Sequence, residues 1–311
     1  MALTPAGFAA EVPPDGYHWW YVDAMSDDGL HGLTLIGFVG SVFSPYYARA
    51  RQRGKADPSN HCAINLALYG ATGKRWAMTE RGRASVHRTP EHLLVGPSRL
   101  EWRGQTLVAT LDEWTFPWPS RLRGRVSLTP SLPPGPVRAL DSAGQHQWRA
   151  VAPRARVEVE LSSPCLNWSG EGYHDENWGS EPLEAGFSGW HWSRCHRTDG
   201  ATQICFEAQP RHGDLTRFCV EFPAAADHAG MRVTARDLPA SRWGIRRRFI
   251  GGQAEQSPGS IRIVEDTPFY ARSMGTSAMG QVFQESLDLD RFRSAWVRQL
   301  LPFRMPRRNG I

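Results

Sequence analysis

Short runs in which apolar and polar positions alternate dominate the chain, and Gly, Pro, Asn and Asp interrupt them. HGLTLIGFVGSVF (31–43), HCAINLALYG (61–70), QTLVATLDEWTF (105–116), RVEVELSS (156–163) and SIRIVED (260–266) each predict a strand bounded by turn chemistry. Many such strands without intervening helices predict an all-β sandwich or barrel. Helical spacing is confined to SPYYARARQRG (44–54) and to a C-terminal segment from residue 290. No fixed-period repeat is visible. The Pro-rich LTPSLPPGPV (128–137) reads as a loop, so the predicted division falls near residue 180. It separates a domain at 1–180 from one at 181–311, both of ordinary domain size.

RFRSAWVRQLLPFRMPRR (291–308) carries Phe292, Trp296 and Leu300 at every fourth position, beside Val297 and Leu301, with six arginines around them. This is the pattern of an amphipathic segment on an anionic membrane surface. A terminal helix packing its stripe on the barrel gives the same pattern. Pro302 and Pro306 limit any helix to the first part.

Composition narrows the class. The 311 residues are 41% hydrophobic and 22% charged, ordinary values for a globular protein. The net charge is +5, and Lys55 and Lys74 are the only lysines. Arginine suits phosphates and anionic head groups, but no zinc finger, homeodomain or RRM signature points to nucleic acid. Most of these arginines read as a solvated surface. MALTPAGFAAEVPPDG lacks the basic and apolar regions of a signal peptide, and no apolar window is long enough to span a bilayer. Five cysteines without a CxxC predict reduced thiols in a cytoplasmic protein. Thirteen tryptophans are a surplus, and five of them lie between 148 and 192. A Trp-rich core accounts for several; the remainder suggest a large apolar pocket.

Candidate chemistry concentrates in GEGYHDENWG (170–179), which crowds Glu171, His174, Asp175 and Glu176 among aromatics and glycines. A zinc site needs three or four converging ligands. In a strand, however, His174 and Glu176 face one way while Tyr173, Asp175 and Asn177 face the other. His191-x3-Cys195-His196 lacks a partner cluster. Proton transfer uses the same alternation differently. Tyr173 and Asp175 share a face, and GQHQW (144–148) offers His146 and Trp148 at the same spacing. On adjacent strands the two pairs would place an acid, a histidine and two aromatics around one cavity. Burial there would keep Asp175 protonated as a general acid, and the π faces would stabilise a cation. An ordinary turn with a surface histidine competes with this reading residue by residue. No GxSxG, P-loop or post-strand GxGxxG is present. Asp27-Asp28 and DLD (288–290) do not form an aspartate-rich diphosphate motif.

At these residues the chain closely resembles the bacterial carotenoid 1,2-hydratases, also called hydroxyneurosporene synthases. The matching blocks run in order along almost the whole chain. They are GYHWWYVDAMSDDGLHGLTLIGFVGSVFSPYY (16–47), NHCAINLALYG (60–70), RWAMTERGR (75–83), GYHDENWGSEPLEAGF (172–187), EDTPFYARS (265–273), then ESLDLDRF and LPFRMPR. The resemblance implies two lipocalin-like, calycin-type antiparallel β-barrel domains. It implies cofactor-independent hydration of the terminal double bond of acyclic carotenoids such as neurosporene and lycopene. It identifies Asp175 with the family's acid and His146, Trp148 and Tyr173 with its other functional positions. A water-insoluble isoprenoid substrate held in the bilayer would explain the aromatic content and a peripheral membrane contact. A lipocalin-like carrier without chemistry, or a cyclising enzyme, would share the aromatic features. A carrier has no need of a buried acid, and a cyclisation adds no water.

Overall fold

The computed structural model describes residues 7–70, 73–223, 233–252 and 259–308; the opening MALTPA of the sequence lies outside them. The chain is mostly β. In order, the strands are β1 (Tyr17–Ser26), β2 (His31–Val39), β3 (Cys62–Gly70), β4 (Arg75–Arg81), β5 (Val86–Arg88), β6 (His92–Val95) and β7 (Ser98–Arg103). Then come β8 (Thr106–Trp114), β9 (Arg121–Pro130), β10 (Arg138–Ala139), β11 (His146–Ser163), β12 (Cys165–Gly179), β13 (Phe187–Arg197) and β14 (Thr202–Pro210). The last are β15 (Thr216–Phe222), β16 (Val233–Leu238), β17 (Arg247–Gly252), β18 (Ser260–Asp266), β19 (Tyr270–Thr276), β20 (Gly280–Asp288) and β21 (Arg307–Arg308). Helices are few and short: α1 (Pro45–Arg51), α2 (Leu183–Gly186), α3 (Leu289–Arg293) and α4 (Ala295–Leu300). Helix α1 starts at Ser44, whose hydroxyl accepts from the Tyr46 and Tyr47 amides, with Pro45 at the first helical position.

Two compact units emerge. The first comprises the described parts of Met1–Arg138, His146–Pro182 and Gln299–Ile311; the second comprises Ala139–Gln145 and Leu183–Arg298.

In the first unit the sheet path runs β21-β4-β3-β2-β1-β12-β11-β9-β8-β7-β6-β5. Strand β21 runs parallel to β4, while the β1, β2, β11 and β12 pairings are antiparallel. Alternation builds the inside. In β11, Val157, Val159 and Leu161 are buried while Arg156, Glu158 and Glu160 point to solvent. One apolar cluster joins Trp20, Val22, Leu35 and Leu66 from one end of the path to Leu93, Leu100, Leu111 and Val126 from the other. Strands so far apart share a core only if the sheet curls. Gly37 marks one close approach. A Cβ there would meet Leu100 Cδ1 at 2.7 Å and Leu93 Cδ2 at 2.9 Å.

The second unit holds a sheet in the order β15-β14-β13-β20-β19-β18 and the separate hairpin β16-β17. Its pairing corrects the expectation of reduced thiols throughout. Cys205 and Cys219 stand opposite one another on β14 and β15, with Cα atoms 4.1 Å apart, and form a disulfide. Their 14-residue separation carries no signature in the sequence, because only the strand register makes them neighbours. Cys62, Cys165 and Cys195 are thiols.

The C-terminal stripe is also corrected. Ser294 adopts an extended conformation and breaks the helix between α3 and α4, so Phe292 and Trp296 do not continue one helical face. Phe292 and Val297 are buried, whereas Trp296 is 46%, Leu300 44% and Phe303 69% exposed. Among the described residues no helix is long and apolar enough to cross a membrane.

His174 lies inside the first unit, fully buried, its Nδ1 2.8 Å from the Tyr21 carbonyl. A carbonyl only accepts, so Nδ1 carries the proton and Nε2 is left as a bare acceptor. Burial pushes the His174 pKa down to about 4. The unfolded chain therefore takes up this proton first, and stability is lost as the pH falls from about 6.5 towards 4. His174→Phe should flatten that dependence. Urea unfolding at pH 7 and pH 4.5 should differ by roughly 2 kcal/mol less in the variant than in the parent.

Candidate active site

Strands β1, β12 and β11 are consecutive in the sheet, and their register builds the site. Tyr17 pairs with Gly179, Trp19 with Asn177, Tyr21 with Asp175 and Asp23 with Tyr173. On the other side of β12, Gly179 pairs with His146, Asn177 with Trp148 and Asp175 with Ala150. Directly opposed residues project to the same side of a sheet. Tyr17, Trp19, Tyr21, Asp23, His146, Trp148, Tyr173, Asp175 and Asn177 therefore share one face. It is the face opposite the apolar cluster that holds Trp20, Val22 and Val157. All nine are buried.

Asp175 is the centre. Trp148 Nε1 donates to its Oδ2 at 2.9 Å and the Tyr173 hydroxyl donates to the same oxygen at 2.7 Å. Asn177 Nδ2 lies 3.3 Å from Oδ1. Only 4% of Asp175 is exposed, so these donors replace the water that a carboxyl loses on burial. Burial, with the Asp175 charge and hydrogen bond next, pushes the Tyr173 pKa well above the ordinary range. Tyr173 thus remains a neutral donor.

His146 occupies the same face two positions along β11 from Trp148, but different partners hold it. Its Nε2 is 3.3 Å from Glu181 Oε1 and its Nδ1 is 2.8 Å from the Tyr17 hydroxyl. An ionised Glu181 accepts only, which places the ring proton on Nε2 and lets Nδ1 accept from Tyr17. Gly179 makes this possible. Tyr17 and His146 flank it in register, and their rings stack with centroids 5.8 Å apart. A Cβ on Gly179 would stand 2.6 Å from Tyr17 Cε1 and 2.7 Å from His146 Nδ1.

The acidic motif is thus divided between two faces. Asp175 joins the aromatic site. His174 lies in the core, and Glu176, on its side, binds His18 at 3.0 Å and Arg149 at 2.5 Å. Burial opposes ionisation of Glu176, yet the His18 hydrogen bond and the Arg149 charge hold its carboxyl below the usual range. Sequence reasoning did not single out Tyr17, Trp19, Tyr21 and Asp23 as site residues. Their alternation in YHWWYVDA was visible, but nothing local says that β1 pairs with β12.

Comparison with known proteins gives this geometry a context. Residues 35–311 match the family described as Carotenoid hydratase CrtC. The chain is 47% identical over 311 residues to the acyclic carotenoid 1,2-hydratase of Thiocapsa roseopersicina, covering 97% of this chain and 76% of that one. The Rubrivivax gelatinosus enzyme of the same name is 46% identical, with coverage of 97% and 76%. Among solved structures, a putative AttH from Nitrosomonas europaea superposes with a TM-score of 0.57 at 16% identity, covering 92% of this chain and 99% of that one. This likeness concerns the fold alone.

Gly179→Ala should push the Tyr17 and His146 rings apart while leaving the Asp175 cluster two positions away. In nuclear magnetic resonance, the imidazole signals of His146 should move strongly and those of His174 should not. Unchanged His146 signals would show that the close approach is unimportant.

Proposed function

The chain belongs to the carotenoid hydratase family, and on that premise we propose that it adds water to the terminal C1–C2 double bond of acyclic carotenoids, giving 1-hydroxy products. The observation that carries this reading is a buried carboxyl, Asp175, ringed by Trp148 and Tyr173. Alkene hydration needs an acid where water is scarce and a π-rich surface where a cation forms. Asp175 gives its proton to C2, and the positive charge develops at the tertiary carbon C1. Trp148 and Tyr173 stabilise that cation and exclude stray water. His146, whose ring nitrogens hold Tyr17 and Glu181, positions the attacking water through these partners. The tertiary alcohol forms without change of oxidation state, so the step calls for neither nicotinamide nor flavin. We read each curled sheet as a lipocalin-like barrel.

A long polyene partitions into lipid, and the second unit presents a surface suited to meet it. Trp243 and Trp296 are each 46% exposed and stack with centroids 6.2 Å apart. Arg242, Arg246 and Arg293 are exposed close to them in sequence. Indoles at a lipid interface with arginines on anionic head groups are the physical form of a peripheral contact.

Purified protein incubated with lycopene in detergent, without added metal or nucleotide, should give a more polar product heavier by one water. Mass spectrometry reads this directly. Asp175→Asn should lower the rate by ~100-fold or more while the protein stays folded; an active, folded variant would refute the acid assignment. Unaltered carotenoid that co-purifies with the parent protein would favour a carrier.

Trp243→Ala combined with Trp296→Ala should weaken sedimentation with anionic liposomes by ~10-fold or more, leaving turnover in detergent intact. Equal binding by the double variant would remove this surface from the account.

A further inference from the structure

An alkene hydratase must start each cycle with a proton on its acid. The immediate surroundings of Asp175 work against that. Trp148, Tyr173 and Asn177 all direct donors at its oxygens, and donors aimed at a carboxyl favour its ionised form. Burial acts in the opposite sense. A second influence in that sense stands on the same face.

Asp23 on β1 is fully buried. It lies opposite Tyr173 in the register, as Tyr21 lies opposite Asp175. The Tyr21 hydroxyl donates to Asp23 Oδ2 at 3.1 Å, and the Tyr173 hydroxyl donates to Asp175 Oδ2 at 2.7 Å. Each acid is thus bonded by the tyrosine two residues before it on its own strand. The two acids are diagonal neighbours across the strand pair, a relation that spans roughly 7–8 Å between Cα atoms. The Tyr21 and Tyr173 rings meet edge to face between them, with centroids 6.2 Å apart.

We propose that Asp23 and Asp175 act as one carboxylate pair sharing a single proton near neutral pH, with the charge on Asp23 keeping the proton on Asp175. Two carboxyls in a dry site do not both ionise readily, and their titration belongs to the pair. The proposal rests on Asp175 as the proton donor. Asp23 acts through Asp175 and is a positioning residue. The cycle balances. Asp175 forms the C2–H bond and leaves the pair doubly ionised beside the C1 cation. Water forms the C1–O bond, and the proton it sheds returns to the pair. Only alkene and water are consumed.

Other titratable groups project to this face from the neighbouring strands. They are Tyr17 on β1, His146 with Glu181 at its Nε2, Glu171 paired with Arg154, Tyr69 on β3, and Glu80 on β4, bound by His61 and Arg307. Strand β2 presents Thr34, Ile36 and Phe38 there, none of which titrates. Replacing Asp23 leaves all of these in place.

The test is the pH profile of kcat/KM with lycopene in detergent. The parent should lose activity on an alkaline limb as the pair gives up its proton. Asp23→Asn should move that limb down by about one pH unit or more and cost ~10-fold at neutral pH, with activity recovering in acid. Asp23→Glu should restore the limb. Should Asp23→Asn fail to fold, Tyr21→Phe serves instead. Loss of its hydroxyl makes the Asp23 anion less favourable, so the limb should move the same way by less. An unmoved limb, or an equal loss at every pH, would overturn the pair. The two readings fail separately. An active Asp175→Asn variant refutes the donor itself, whereas an inactive one with an unmoved limb in Asp23→Asn refutes only the pair.

Discussion

A carboxyl cannot be withdrawn from water unless something replaces the water, and that constraint organises the first unit of this protein. Asp175 is almost wholly buried, so indole and phenol donors must stand within hydrogen-bond reach of it. The indole comes from β11 and the phenol from β12. Their meeting depends on the antiparallel register of those strands. A slip of β12 by one residue would turn Asp175 into the apolar core and leave Trp148 on the opposite face. The hydrophobic interior, which holds the register, and the polar site, which needs it, are therefore two sides of one arrangement.

The same alternation separates groups that the sequence places side by side. Asp175 sits between His174 and Glu176 but shares neither's surroundings. His174 is neutral in the core, held by a main-chain carbonyl. Glu176 is hydrogen-bonded to His18 and ion-paired with Arg149. Neither therefore sets the surroundings of Asp175, which come from the opposite face of the sheet. Glycine has a part in this as well. Gly179 contributes the space through which Tyr17 reaches His146, and Gly37 lets the far strands of the curl approach.

The second unit shows how far local pattern can mislead. The four-residue stripe beginning at Phe292 looks like one helical face, yet an extended Ser294 divides it into a buried part and an exposed part. Cys205 and Cys219 look like two unrelated thiols until β14 and β15 bring them into register. In both cases one residue's backbone conformation, or one strand pairing, outweighs the spacing along the chain.

The sequence by itself determined the local elements. Runs such as RVEVELSS alternate because one side of a strand must meet a core and the other water, and a Ser-Pro pair opens α1 because it satisfies the first helical amides. It also determined that Tyr173 and Asp175, and separately His146 and Trp148, would each share a face, since side chains two apart in a strand always do. The tertiary structure alone decided that those two pairs lie on adjoining strands, and that Tyr17, Trp19, Tyr21 and Asp23 join them from a strand 129 residues distant at the Tyr17–His146 contact. Strand pairing is a non-local choice. It is settled by which register buries the most apolar surface across the whole curled sheet, and no short stretch of sequence contains that information.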